Sequence, residues 1–298
     1  MAPTLFFHRR PRLSRPSLLA ALSGWPNAGE AATSTVRYLV RALRARRLAE
    51  IVPDLFYDFT SLRPTTNITD GVLRELKWPQ NTFYYARRQP EAADLILFLG
   101  AEPHLHWGSY LSEMTRVARE FDVSRLYALG SMYDRVPHTR ETRVSGLVSD
   151  ESLLPLLGER GLLGTSYQGP SSIHTAMLTA FARQGIPGIS LWAHASFYVQ
   201  VVANPKATLA LLSHLLPMLG YSLDLANLDL AAQYFDQTLD RLVRHNASLQ
   251  RLVQGLEAEY DNVAQPQAEA SEEDTEQIIR DVEEYLRGQQ RGEAAEGD

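Results

Sequence analysis

The chain has 298 residues, 45% of them hydrophobic, which suffices for one large core or two average domains, and no apolar run approaches the roughly 20 residues that span a membrane. The lack of cysteine excludes disulfides, thiolate zinc sites and a cysteine nucleophile, and it is typical of a cytoplasmic protein. The net charge of −6 is concentrated in the last 34 residues, which carry 11 acidic and 3 basic side chains, so the first 264 residues lack the strongly basic character of nucleic-acid-binding proteins.

Short apolar runs alternate with longer segments of helical period, which predicts an α/β fold with helices on both faces of a sheet. We expect the basic N-terminal stretch to lead into the first strand and the arginines of 41–47 to form a solvated helix end. Apolar helical faces recur around Val36, Tyr110 and Met177, and Pro205 opens a further helix. The predicted strands are 17–22, 51–57, 82–86, 94–99, 125–129 and 188–193.

The pattern changes after Gly220. From Leu225 to Tyr260, apolar residues recur in three- and four-residue steps over five heptads, which predicts one long helix with Asn246 in its seam. We expect this helix to fold back over the core, and the amphipathic helix 276–287 to be a mobile appendage. The predicted organisation is an α/β core over 1–220, a helical extension over 221–262, and an acidic linker, short helix and tail over 263–298.

Four predicted strands end in loops with polar or glycine residues, and ligands of open α/β sheets collect beyond the carboxyl ends of parallel strands. If these strands are parallel neighbours, their loops form a pocket that the long helix partly covers. The ligand-binding candidates are Asn27, Arg63, Glu102, Tyr167 and His194. Of these, Glu102 and His194 are the acid/base candidates, and the other three are positioning groups.

The loop 24–29, GWPNAG, lacks the lysine of a P-loop and the glycine spacing of a dinucleotide site. Glu30 after it would also oppose a phosphate. Asn27 is therefore predicted to cap the next helix, with a ligand loop as the alternative.

The histidines give no strong catalytic or metal signature. His104 and His106 lack the spacing and the third ligand of a metal site, so neither metal nor cofactor is predicted. No G-x-S-x-G elbow is present, so a structural His194 is favoured over a catalytic one, for which Ser131 and Ser196 would be the nucleophiles.

A series of short motifs follows along residues 15 to 260: Gly24–Ala28, Tyr57–Phe59, Arg63–Pro64, Lys77–Pro79, Gly100–Pro103 with Trp107, Val136–Arg140, Tyr167–Pro170, Ser190–Trp192, Tyr198 and Asn204–Pro205. In this order they resemble the prokaryotic branch of the proteasome assembly chaperone 2 family. The resemblance implies a three-layer sandwich with a phosphorylase/hydrolase-like core and a C-terminal helical extension over the pocket.

The resemblance also implies a hairpin insertion used in self-association, which we expect at 133–148 with Val136, His138 and Arg140 as contact residues. The implied assembly is a homo-oligomer, by analogy a trimer. Family relatives assist assembly of the 20S proteasome, some through a C-terminal hydrophobic-Tyr-any-residue tail. This sequence ends 292-GEAAEGD-298, and its nearest substitute, Glu284-Tyr-Leu286, is better interpreted as a helix face.

Two functions of different class remain open. The first is a non-enzymatic assembly-chaperone-like or scaffold protein, whose partners are itself and proteasome-related or other protein clients, with no nucleic acid or membrane. The second is an enzyme or ligand-binding protein that uses the strand-end pocket. Clustering of Asn27, Glu102 and His194 around one open cavity would favour the second, and their dispersal into packed or capping roles the first.

Overall fold

The computed structural model describes residues 4–87, 93–164, 166–200 and 203–262, together with residues 279, 280, 282, 283 and 286. The strands are β1 (Leu5–Phe7), β2 (Ser17–Ser23), β3 (Arg46–Ile51), β4 (Thr65–Thr69), β5 (Val72–Lys77), β6 (Thr82–Ala86), β7 (Leu95–Ala101), β8 (Arg125–Asp134), β9 (Val144–Val148), β10 (Leu163–Gly164) and β11 (Gly188–Ser196). The helices are α1 (Ala31–Ala42), α2 (Trp107–Glu120), α3 (Leu154–Gly158), α4 (Ile173–Ala182), α5 (Pro205–Leu219), α6 (Ala226–His245) and α7 (Ala247–Asp261). No helix among the described residues is long and apolar enough to cross a membrane.

Nine of the described strands form one sheet in the order β1-β3-β6-β7-β2-β8-β11-β9-β10. The four central strands, β7, β2, β8 and β11, are parallel neighbours. This arrangement explains why β2 is a continuous apolar run, since a central parallel strand is covered on both faces.

Helices cover the sheet on both faces, which confirms the predicted three-layer α/β fold. On one face α2 and α4 pack over Leu18, Phe98 and Leu126. On the other, α1 and α5 pack over Leu19 and Leu129. The C-terminal helices lie outside this sandwich, because α6 packs on α5 rather than on the sheet.

The predicted strand 51–57 is wrong. The strand at this place is β3, which ends at Ile51, and residues 53–55 form a 3-10 turn that begins with a proline. Arg46 and Arg47 are exposed at the start of β3, so the charged half of the strand resembled the end of a helix in the sequence.

The predicted hairpin over 133–148 is also wrong. β8 runs on to Asp134, and β9 pairs with β11 rather than with β8. A hairpin lies instead at 65–77, where β4 and β5 form a separate two-stranded sheet with a turn at Asp70-Gly71.

The long helix over 225–260 is two helices in the structure. Asn246 ends α6 in an extended conformation, and its side-chain oxygen accepts hydrogen bonds from the amides of Ser248 and Leu249 at 3.0 Å. The asparagine therefore serves as the N-cap of α7, a role that competes with a place in a continuous helix.

The prediction of a mobile appendage at 276–287 is contradicted by the described residues of this segment. Val282 and Leu286 are buried and pack with Leu249, Val253 and Leu256 of α7. Burial of these two side chains ties both residues to α6 and α7, which together form the C-terminal helical cover.

Candidate functional site

The loops that follow β2 and β7 and the carboxyl-terminal parts of β8 and β11 lie side by side, because these strands are parallel neighbours. An isolated bridge between Asn27 and Ser131 ties the loop after β2 to β8. The predicted strands are therefore parallel neighbours, and their ends meet at one edge of the sheet. The side chains, however, do not converge.

The N-cap position of α1 is Glu30, whose side chain makes no capping hydrogen bond; the capping bond comes from Asn27, which precedes a 3-10 turn at 28–30. Its Oδ1 accepts a hydrogen bond from the amide of Thr33 at 3.1 Å, and its Nδ2 donates to Thr33 Oγ1 at 3.0 Å. The side chain is buried. Both ends of the amide are thus used inside the fold, as the capping prediction required, although the helix itself starts at Ala31.

Glu102 also serves a helix start. Its Oε1 accepts a hydrogen bond from the amide of Ile173, the first residue of α4, at 2.9 Å. A carboxylate at this position complements the positive end of the helix dipole. Gly24 lies against it, since a Cβ at Gly24 would come within 3.3 Å of Glu102 Cβ.

His194 stands in the middle of a chain of hydrogen bonds across three strands. Its Nδ1 lies 2.7 Å from Asp134 Oδ2, and its Nε2 lies 2.8 Å from Ser145 Oγ. The bond to His194 is the main cause that lowers the pKa of the Asp134 carboxyl. The connectivity is that of a serine-hydrolase relay, but Ser145 lies within β9 and is 4% exposed.

The other nucleophile candidates are used within the fold. Ser131 is fully buried and its hydroxyl donates to the carbonyl of Ala28 at 2.7 Å. Ser196 is buried at the end of β11.

Arg63 and Tyr167 are both exposed, and the Tyr167 hydroxyl donates to the carbonyl of Pro170 at 3.0 Å. Within the described ranges, no hydrogen bond or ion pair joins any two of Asn27, Arg63, Glu102, Tyr167 and His194. The contacts of Asn27 and Glu102 are capping contacts and that of Tyr167 is local, which is the dispersal expected of a scaffold.

The predicted contact residues of the self-association surface lie against α6 and α7 of the same chain. Val136 and His138 are each 3% exposed. Arg140 bonds Asp261 at 2.7 Å and Glu257 at 3.2 Å. Since two of the three side chains are buried within the chain, they are not free for a second copy.

His138 belongs to a buried polar cluster beneath α6. Its Nδ1 lies 2.6 Å from the Tyr198 hydroxyl and its Nε2 lies 3.3 Å from Asp240 Oδ1. Burial lowers the pKa of His138 and raises that of Asp236. Lys206 bonds Asp236 at 2.7 Å and donates to the His138 carbonyl, so this cluster fastens α6 to the core.

Of the two acid/base candidates, Glu102 and His194, only His194 shares a cavity with a residue of the helical cover. Phe235 of α6 and His194 line a common cavity of about 10 Å³, which is at the lower limit for one water molecule. Glu102 is not among the residues that line it. The predicted lid over a shared pocket of Glu102 and His194 is therefore wrong.

A row of edge-to-face aromatic contacts extends outward from α4 to the loop after β2. His174 packs on Trp192 with ring centroids 5.2 Å apart, and Trp192 packs on Trp25 at 6.5 Å. Trp25 is 66% exposed. Both ring nitrogens of His174 are buried without a hydrogen-bond partner in the described structure, and burial lowers the pKa of His174 to about 3.

A cleft of about 400 Å³, which the sequence did not predict, lies between α1 and strands β6 and β7. Two arginines of α1, Arg37 and Arg41, line it together with Tyr84 and Leu99. The spacing of Arg37 and Arg41 by four residues places both side chains on one face of a helix, and this spacing could have indicated a basic surface. The interpretation of 41–47 as a solvated helix end does not include Arg37.

Among the described residues, no group of three or more His, Cys, Asp or Glu side chains could hold a metal ion. His104, one of the two histidines considered for a metal, accepts a hydrogen bond from the amide of Asp58 at its Nδ1, at 3.1 Å.

Comparison with known proteins gives concordant results. The model of the PAC2 family matches residues 21–243. The chain is 33% identical to a PAC2 family protein from Streptomyces avermitilis, with a TM-score of 0.73 over 80% of this chain and 99% of that one. It is 31% identical to a proteasome-assembly chaperone homologue from Mycobacterium tuberculosis, with the same TM-score and coverage. The comparison with curated proteins found no match.

A more distant likeness shows the fold alone. PbaB from Pyrococcus furiosus, an archaeal proteasome activator, is 22% identical, with a TM-score of 0.63 over 80% of this chain and 98% of that one. The fold and the dispersed strand-end residues thus define a three-layer α/β protein with a C-terminal helical cover. The chain belongs to the PAC2 family, as the sequence motifs predicted.

Proposed function

We propose that this protein is a homo-oligomeric, non-enzymatic assembly-chaperone-like scaffold that acts through protein contacts. Membership of the PAC2 family and the likeness to a proteasome-assembly chaperone homologue suggest a chaperone-like role. The use of the candidate side chains in caps and strand ties supports a role without bond chemistry. Proteasome-related proteins and other copies of this chain are the proposed partners, in the cytoplasm.

The observation that carries the proposal is the apolar surface of the hairpin 65–77. Ile68 lies directly opposite Leu73 in the pairing register, and these side chains are 61% and 62% exposed. Val72 and Leu76 are each 48% exposed on the same hairpin. A lone two-stranded sheet is marginally stable in water, so burial of this surface by a partner would stabilise it.

A second copy is the occupant that this surface fits best. Within the part of the chain that the structure describes, no third strand pairs with the hairpin, so it offers strand edges beside its apolar side chains, and an identical hairpin offers both complementary features. The proposal therefore moves the self-association surface from 133–148 to 65–77.

Light scattering coupled to gel filtration tests this proposal on the full chain. The double variant Ile68→Gln, Leu73→Gln should shift the wild-type oligomer to a folded monomer. Leu230→Gln, at a side chain that is 61% exposed on α6, is the matched control and should leave the oligomer unchanged. A monomeric wild type, or an unchanged mass of the double variant, would reject the hairpin as the contact.

The rival function, hydrolysis, is favoured by one observation: the connected side chains of Asp134, His194 and Ser145. A fluorophosphonate probe tests it, since attack by the Ser145 oxygen on phosphorus would release fluoride and pass the proton to His194. Labelling that is lost in Ser145→Ala would favour the hydrolase. We expect no labelling, because Ser145 is buried within β9.

A further inference from the structure

We propose that the cleft between α1 and strands β6 and β7 binds a small organic anion, whose phosphate or carboxylate group is held by Arg41 and Arg37. The cleft is about 400 Å³ in volume, within the range of small-molecule sites. It is separate from the hairpin side chains Ile68 and Leu73, which do not line it.

The topology of the sheet explains why a crevice forms at this point. β2 and β7 are parallel neighbours, but α1, which follows β2, lies on one face of the sheet and α2, which follows β7, on the other. The two connections leave the sheet in opposite directions and open a gap at the carboxyl ends of the strands. Ser23, at the end of β2, and Leu99 to Ala101, at the end of β7, line this gap.

The charge of the lining selects an anion. Its only ionisable lining groups in the described structure besides the Tyr84 phenol are Arg37 and Arg41, so no carboxylate faces the space. Arg37 is held by Glu30 at 2.8 Å and by Thr33 Oγ1 at 3.2 Å. Arg41 is exposed and has no hydrogen-bond or ion-pair partner among the described residues, so its guanidinium is available.

The remaining lining side chains fit an organic anion better than a bare ion. Hydroxyl groups of Ser23, Thr33 and Thr82 can donate hydrogen bonds to the anion or to polar substituents. Val40, Leu99 and the ring of Tyr84 give an apolar surface for a planar or aliphatic part. Guanidinium groups bind phosphate and carboxylate in a bidentate manner, and the two ligand groups therefore need separate probes.

Isothermal titration calorimetry of the full chain with phenyl phosphate, benzoate and benzyl alcohol tests the proposal. We expect at least one anion to bind and the neutral benzyl alcohol not to bind. Arg41→Gln should weaken that binding by about tenfold or more, because it removes a charge-assisted hydrogen-bond donor. Arg119→Gln is the matched control, since Arg119 is likewise exposed in the last turn of its helix, on the opposite face of the sheet.

A second variant tests the location independently of charge. Val40→Trp should abolish binding by filling the cleft while both arginines stay, and its unfolding curve will show that it folds. Three results would each overturn the proposal. The first is equal weakening of anion binding by Arg41→Gln and Arg119→Gln, and the second is wild-type affinity in Val40→Trp. The third is no binding of either anion at about 10 mM. Preference for phenyl phosphate over benzoate, or the reverse, identifies the bound group.

Discussion

Two sides of the molecule use arginine differently. On the side of β9 and β11, Arg135, Arg140 and Arg143 all reach α7: the first two form ion pairs, and the third stacks 3.7 Å from the centroid of the Tyr260 ring. On the side of β2 and β7, Arg37 is paired within its own helix, and Arg41 meets no carboxylate among the described residues. The first side is closed by the chain itself, whereas the second leaves a cation beside an open cleft.

The difference shows how one residue type serves either the fold or a ligand. The helices α6 and α7 supply carboxylates to the loop 135–143, and its arginine side chains are thereby used in contacts within the chain. No comparable element covers the cleft in the described structure. A basic segment in a sequence therefore becomes informative only when its partners are known.

The largest expected effect concerns the apolar side chains that pack α7 on the side of β9 and β11, which α6 and α7 cover. Leu256→Ala should lower the free energy of unfolding by about 3 kcal/mol, because Leu256 is 1% exposed within the cluster of α7. Leu230→Ala, at an exposed side chain of α6, should change it by less than about 0.5 kcal/mol. Urea denaturation measures both. Similar costs for the two variants would mean that α7 is not packed on the core.

Two buried histidines differ in their hydrogen-bond partners in the same way. His138 on the covered side meets Tyr198 and Asp240, whereas His174 has no partner for either ring nitrogen in the described structure. The pKa of His174 falls from 6.5 to about 3 on burial, so the unfolded chain binds a proton that the folded chain does not. Its contribution to stability is complete above the unfolded pKa and decreases as the pH falls toward the folded value.

His174→Phe sharpens this contrast, because it keeps an aromatic ring against Trp192 and removes the proton site. Between about pH 7 and about pH 5, the wild type should lose about 2 kcal/mol more than the variant in urea denaturation. Equal losses would show that His174 is hydrated or hydrogen-bonded in solution.

The sequence predicted the layers of the fold well because the central strands are continuous apolar runs. The sequence did not predict β3 correctly or the hairpin 65–77 at all. Exposed charged or polar residues interrupt the alternation of apolar and polar side chains that indicates a strand. Asn246 was placed in a seam because heptad spacing continues through it, although its side chain caps α7. The local sequence pattern fits both roles of Asn246, a position within a helix seam and the N-cap of a new helix.

The meeting of the strand ends at one edge of the sheet was predictable from the sequence, but the partners of most candidate side chains were not. Strand ends place Asn27, Glu102 and His194 at one edge of the sheet, yet each side chain finds a structural partner. The partner of Asn27, Thr33, is local and follows from the predicted cap, whereas Ile173 and Asp134 are brought to Glu102 and His194 by tertiary packing. The open cleft depends on the helices after β2 and β7 lying on opposite faces, which no short motif encodes.

A substitution at Asn27 tests whether helix capping also stabilises the side of β2 and β7, where the cleft lies. Asn27→Ala should cost about 1 kcal/mol of unfolding free energy, because it removes the acceptor for the Thr33 amide. Asn246→Ala, which removes the cap of α7, is the companion on the covered side and should cost a similar amount. An unchanged stability of Asn27→Ala, with a changed ligand affinity, would instead support a ligand loop.

The smallest effect separates the two arginine environments directly. Arg140→Gln should lower the thermal midpoint at low salt, because Arg140 bonds Asp261 and Glu257. The loss should shrink at about 1 M salt, since ion pairs at the surface are screened. Arg41→Gln should shift the midpoint by no more than about 1 °C at either salt concentration, because no partner is lost. An equal, salt-sensitive loss in both variants would show that Arg41 has a carboxylate partner in the folded chain, and the cleft would then no longer offer a free cation.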